Sequence, residues 1–270
     1  MKLLVSLFLL LLSLSTQTTV QADEALSFGI VPQQSASKLA RLWGPILKYI
    51  SNKSGVKLTF KTAKNIPEFE KRLYAGNYDI SYMNPYHYTV AHKEAGYEVF
   101  AKQQNKRIVG ILVARKDSDI EDINELNGKT LAFPSPAAFA ASILPRAFLT
   151  KSGIKFTPKY VSSHDSVYRS VQLKLYPAGG GIIRTLKNVG NNVSNDLNIL
   201  WKSPGYTPHA LASHPRINAD KISRVKKVML EMASDPVGKK LLQNIKFKGI
   251  ENGEDKEWND IRELRIDELK

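Results

Sequence analysis

The first pronounced pattern along the chain is apolar: Leu3 to Leu14 is hydrophobic except for Ser6 and Ser13. Lys2 precedes this run, and a polar stretch leads from it to Val20-Gln21-Ala22, a small-x-small site. Charge, short apolar run and small residues in that order form a secretory signal. Residues 1–22 are therefore expected to be cleaved, leaving a mature chain that begins near Asp23. The run is also too short for a membrane span, which needs about 20 apolar residues. Beyond it the pattern changes to that of a folded chain. Leu26 to Val31 reads as a strand stopped by Pro32, and Leu39, Leu42, Trp43, Ile46, Leu47 and Ile50 recur at helical spacing between about Lys38 and Ser51. Val56 to Thr62 alternates as a strand, Asn65-Ile66-Pro67 opens a helix that ends at Gly76, and Tyr78 to Tyr82 is a short strand. Strand, helix, strand, helix, strand predicts an α/β fold with a largely parallel sheet.

Two strands follow, Glu98 to Gln103 and Arg107 to Arg115, on either side of a turn at Gln104-Asn105. Ile120 to Leu126 reads as a short helix, Lys129 to Phe133 as a strand, and Ala137 to Ser152 as a helix closed by Gly153. Lys159 to Val161 is a strand, and a helix runs from Ser163 or His164 to about Leu175. Pro177 to Gly181 is a loop or the start of a strand, Ile183 to Leu186 is helical or extended, and Leu197 to Trp201 is a strand. Helices at Lys221 to Ser234, Pro236 to Ile245 and Trp258 to Leu264 complete the chain. Two α/β blocks emerge, roughly 25–110 and 111–200. The mostly helical remainder has too few strands to stand alone and is expected to pack on one of them.

Composition narrows the function. There is no cysteine, so a chain bound for an oxidising compartment relies on its core alone, and it has no thiol for a lipid tether after the signal. Together these point to the periplasm. The net charge of +14 favours anionic partners, but the lysines are scattered, with no basic run of five or more, and Glu251 to Glu268 is acid-rich. That distribution argues against nucleic acid. Catalytic and metal motifs are missing: His87 and His92 lie five apart, off the zinc-helix spacing, and no serine sits in a Gly-x-Ser-x-Gly elbow. Gly179-Gly180-Gly181 lacks the lysine and hydroxyl of a phosphate loop and marks close backbone approach or a bend. No metal and no cofactor is expected.

Ligands of open α/β sheets bind beyond the carboxyl ends of strands, and four strand-to-helix turns qualify here. Pro32 to Ser37 offers Gln33 and Ser35; Tyr82 to Tyr86 offers Tyr82, Asn84 and Tyr86, whose rings serve equally well in a core. Phe133 to Phe139 offers Ser135, Ala138 and Phe139 ahead of a helix start, where amides and the helix dipole suit an anion. Ser162 to Ser166 offers His164 as a donor, with Ser163 and Asp165 as caps. Gly180 is added as a point where backbone approaches ligand.

These turns resemble those of the phosphate, phosphite and phosphonate substrate-binding family of ABC importers over about 26–212. The resemblance is carried by Leu26 to Ile30, Trp43-Gly44-Pro45-Ile46-Leu47, Gly55-Val56, Tyr78 to Tyr82, Gly110 to Ser118, Leu126 to Phe133 and Ile199 to Pro204, taken in order and spacing. It implies a type 2 periplasmic binding fold, with residues 23–110 and 202–270 in one lobe, 111–201 in the other, two crossing strands and a ligand cleft between. It also implies a monomer that delivers a small, phosphonate-like anion to an ABC permease. A sensor that docks on a membrane receptor such as a histidine kinase is the alternative, and an enzyme on the same fold a more distant one. The family grips its oxyanion with Ser-Thr-Ser at a helix start, where this chain has Ala138, Phe139 and Ala140, while the family histidine falls on His164. The loss of those hydroxyls, each worth on the order of 1 kcal/mol, predicts weak binding of bare phosphonate. The acidic residue relatives often place near the glycine pair is missing at Pro177 to Gly181, which disfavours an ammonium-bearing ligand.

Overall fold

A computed structural model describes residues 24–266; the expected signal peptide lies outside them. The chain builds β1 (Leu26–Ile30), α1 (Ala36–Ser54), β2 (Leu58–Lys61), α2 (Ile66–Tyr74), β3 (Ile80–Met83), α3 (Pro85–Ala95) and β4 (Glu98–Gln103). Then come β5 (Gly110–Arg115), β6 (Lys129–Phe133), α4 (Leu144–Lys151), β7 (Phe156–Tyr160), α5 (His164–Gln172), β8 (Ala178–Ile182), α6 (Ile183–Asn188), α7 (Asn191–Ser194) and β9 (Leu197–Lys202). The remainder is β10 (Ala210–Ser213), α8 (Ala219–Glu231), α9 (Pro236–Asn244), β11 (Ile250–Asn252) and α10 (Asn259–Arg262).

Two sheets result. The first has the order β11-β4-β10-β3-β1-β2 and the second β7-β6-β8-β5-β9. Both are mixed, which corrects the largely parallel sheet: β2, β1 and β3 run parallel, but β10 is antiparallel to β3 and β4, and β5 is antiparallel to β8 and β9. The chain passes between the sheets after β4 and returns after β9, where Ile108 and Tyr206 form an antiparallel bridge. The strands on either side of Gln104-Asn105 are thus not a hairpin. β4 pairs with β10 and β11, whereas β5 pairs with β8 and β9.

Local chemistry sets the helix ends. Asn65 caps α2, its side chain accepting from the amide of Glu68 at 2.9 Å, and Gly55 ends α1 in the left-handed region at φ 70°. The apolar stripe of α1 buries Leu39, Trp43, Ile46, Leu47 and Ile50 against β2, α8 and α9. The helical remainder therefore packs on the first sheet. In the second lobe Ile111, Val113, Tyr168 and Val171 fill one face of the sheet, and Leu112, Leu131, Phe133 and Leu149 the other.

The expected helix from Ala137 is altered at its start. Phe139–Ile143 form a π-helical turn, with the amide of Ile143 reaching back to the carbonyl of Ala138 at 3.2 Å, and the regular helix begins only at Leu144. Such turns cluster at functional sites. This one presses its carbonyls onto the sheet. A Cβ on Gly110 would lie 2.2 Å from the Ala140 oxygen, and one on Gly180 2.0 Å from the Ala141 oxygen.

Candidate ligand site

Two adjoining cavities lie where the lobes meet. The inner one, about 10 Å³, is lined by Gln33, Asn84, Ala138, Phe139, His164 and His209, among others. The outer one, about 40 Å³, is lined by Tyr82, Gln103, Lys106, Pro208, His209 and Arg184, among others. Ile108, Ile182 and His209 border both. One water needs roughly 10–15 Å³ of such a cavity, so the larger has room for about three waters and the smaller for about one.

Of the residues singled out from sequence, the structure brings Gln33, Tyr82, Asn84, Ala138, Phe139 and His164 to these cavities. Four go elsewhere. Ser35 is exposed and caps α1, its hydroxyl accepting from the amide of Lys38 at 3.4 Å. Tyr86 borders a separate surface depression with Thr89 and Arg262, because α3 carries it away from the cleft. Ser135 is buried, lines neither cavity, and its hydroxyl finds no partner among the described residues. Gly180 sits in mid-strand under the π-helical turn, so its lack of a side chain serves packing and not a ligand.

Polar contacts cross the cleft beside the apolar packing of Phe139 and Ile182 on the first core. The His164 amide donates to the Gln33 carbonyl at 3.2 Å, and Asn84 Nδ2 donates to the Ala137 carbonyl at 3.3 Å. Lys38 pairs with Asp165 at 3.6 Å and donates to the Asn188 carbonyl. Arg184 donates to Gln33 Oε1. Because the oxygen of that amide faces the guanidinium, its nitrogen donates to His209 Nε2 at 3.0 Å, which places the His209 proton on Nδ1. His209 stacks on Tyr82 with centroids 4.9 Å apart, and Tyr82 in turn packs against Trp43. An aromatic column anchored in the first core thus supports the floor of the outer cavity.

His164 opens α5 behind the Ser163 cap. Its Nδ1 meets Thr185 Oγ1 at 3.1 Å, which also contacts the Tyr168 hydroxyl at 2.8 Å. Burial first, and Arg184 second, push the imidazole down to about 3. His209 is held well below its ordinary value by burial and then by Arg184. Both rings are neutral at pH 7, so His164 offers a hydrogen bond and no charge. Positive charge comes from Arg184 and Lys106, and among the described residues no carboxylate lines either cavity.

Arg184 and His209 were not among the sequence candidates. Arg184 follows β8 at a further strand-to-helix turn, hidden because the glycine run gives no strand periodicity. His209 precedes β10, a fully buried strand with no alternation.

The geometry agrees with known proteins. The family model for the periplasmic substrate-binding protein of phosphonate ABC transporters matches residues 28–258. A phosphate-import protein of Mycolicibacterium smegmatis is 21% identical over 233 residues, covering 78% of this chain and 73% of its own. A binding-protein component of a phosphonate ABC transporter from Pseudomonas aeruginosa superposes with a TM-score of 0.83 at 18% identity, covering 92% of this chain and 88% of that one. A Prochlorococcus marinus protein solved with methylphosphonate gives 0.81 at 19% identity, covering 89% of this chain and 96% of that one. Two α/β lobes with a cleft between them are the periplasmic binding protein fold, and the chain belongs to the family of periplasmic substrate-binding proteins of phosphonate ABC transporters.

Proposed function

We propose that this chain captures a small phosphorus oxyanion between its lobes in the periplasm and presents the closed complex to an ABC importer. The observation that carries this reading is the lining of the inter-lobe cavities: a guanidinium, an ammonium, amide and imidazole donors and, among the described residues, no carboxylate. Arg184 sets a positive field in the cleft from the second lobe, and Gln33 offers a side-chain amide from the first. His164 adds a ring nitrogen, Nε2, with no partner among the described residues. The first amides of the Phe139 turn, which precede its internal hydrogen bonds, add backbone donors. A ligand that engages both lobes favours the closed form by its differential affinity for it.

The experiment is calorimetric titration of the mature protein with phosphate, phosphite and methylphosphonate, and with spermidine as a cation. Single-site binding of the phosphorus oxyanions is expected, weaker than about 1 µM because Ala138, Phe139 and Ala140 supply no hydroxyls. Spermidine gives no heat. Binding of the cation with no anion bound would overturn the proposal, and submicromolar methylphosphonate affinity would overturn the role given to the missing hydroxyls.

A further inference from the structure

The two cavities differ in charge. The inner one has neutral donors: Gln33, Asn84, His164 and His209. The outer one has Arg184 and Lys106. Lys187, one turn along α6 from Arg184, and Lys248, just before β11, add to the same field: both act on Lys106, whose ammonium is pushed down by burial, then by Arg184, Lys187 and Lys248. None of the four forms an ion pair with a carboxylate among the described residues. Arg184 and Lys187 come from the second lobe, while Lys106 lies on the crossing segment and Lys248 on the first. Closing the lobes therefore gathers like charges, at a cost that a counter-charge in the outer cavity would offset.

We propose that the preferred ligand is a two-headed anion, a phosphonate or phosphate whose substituent carries a second acidic group, with that second group held by Arg184 and Lys106 in the outer cavity. This rests on the oxyanion reading above and assigns its substituent. The oxyanion head lies against the neutral donors of the inner cavity, and the substituent passes between the apolar borders Ile108 and Ile182 to reach the cations. A planar guanidinium matches a carboxylate or phosphoryl group in a bidentate pair. Gln33, which now accepts from Arg184, can turn its amide nitrogen to the ligand once that guanidinium is engaged. An ammonium in the same place would meet two cations and no acid, so aminoalkyl substituents are rejected by charge.

Three probes that share a phosphonate head separate the possibilities: methylphosphonate, phosphonoacetate and 2-aminoethylphosphonate, titrated into the mature protein at about 0.15 M salt, where the Debye length is about 8 Å. Phosphonoacetate is expected to bind at least about tenfold tighter than methylphosphonate, and 2-aminoethylphosphonate more weakly than either. In Arg184→Gln the ratio of phosphonoacetate to methylphosphonate affinity should fall to within about threefold of unity. Lys106→Ala provides a second variant and should reduce the same ratio by at least about threefold. Equal affinities in the wild type, or a ratio untouched by both variants, would overturn the second-group assignment. Methylphosphonate binding would still uphold the function proposed above. Silence from all three probes would overturn both.

Discussion

Gly180→Ala is expected to cost about 3 kcal/mol of folding stability and most of the ligand affinity. One methyl does this because of what it meets. The new Cβ would stand 2.0 Å from the Ala141 carbonyl oxygen and 2.7 Å from Phe133 Cδ1. The first obstacle is main chain, which cannot swing aside as a lysine tip would. Gly110, on the neighbouring strand β5, holds the adjacent carbonyl of Ala140 in the same way, so the π-helical turn rests on two glycines and cannot tilt away from one without closing on the other. That turn carries Ala138, Phe139, Ala140 and Ala141, which wall the inner cavity. Phe139 also meets Tyr206 edge-on at 5.5 Å beside the crossing segments, so displacement would reach the joint between the lobes. Urea unfolding reads the first effect and titration the second. A loss below about 1 kcal/mol would show that the turn yields and that the glycines are incidental.

Acidification should destabilise the protein well above the range in which its carboxylates titrate. His164 is pushed down to about 3, and His209 is also held well below its ordinary value, chiefly by burial. In the unfolded chain both return to about 6.5. The unfolded state therefore binds protons that the folded state refuses. The stability they confer is complete above about pH 6.5 and is lost as pH falls towards the folded values, by up to ~1.4 kcal/mol per pH unit for each histidine. Asp165 opposes this, since burial raises its carboxyl and the folded state takes up that proton more readily. Two histidines against one carboxyl leave a net fall, expected to exceed about 2 kcal/mol between pH 6.5 and 4.5. His164→Gln should flatten the profile by nearly one proton. An unchanged urea midpoint from pH 7 to pH 5 would mean that the histidines are not held neutral.

The sequence was most readable where one face of an element is buried and the other wet. The stripe of α1 and the Asn65 and Gly55 caps make β1 to β3 legible to within about two residues at each end. Burial on all sides removed that contrast elsewhere. β10 lies between β3 and β4 with all four residues buried, and so shows neither alternation nor helical spacing. α3 begins with Asn84-Pro85, the same kind of start as α2, but it buries Tyr86, His87 and Tyr88 in succession and blurs its stripe with polar aromatics. The turn at Gln104-Asn105 does not show where its flanking strands pair, because β4 finds its partners in β10 and β11 and β5 in β8 and β9, all distant along the chain. Site residues followed the same division. Gln33, Asn84 and His164 were visible from turn chemistry, whereas Arg184 and His209 depended on strands that the pattern concealed. Gly180 was noticed for the right property, close backbone approach, but the group that approaches is the protein's own carbonyl.

The central claim is that an anion held between the lobes draws them together. Ser37 and Asn191 are exposed and flank the contact of Lys38 with Asn188 across the cleft mouth. The chain has no cysteine, so Ser37→Cys and Asn191→Cys give a single clean pair for spin labels. Pulsed electron resonance then reports the distance between them with and without phosphonoacetate. The account predicts a broad or long distribution in ligand-free buffer that collapses to one short distance at saturation, and no change with spermidine. A distribution that stays the same while calorimetry shows phosphonoacetate bound would contradict it.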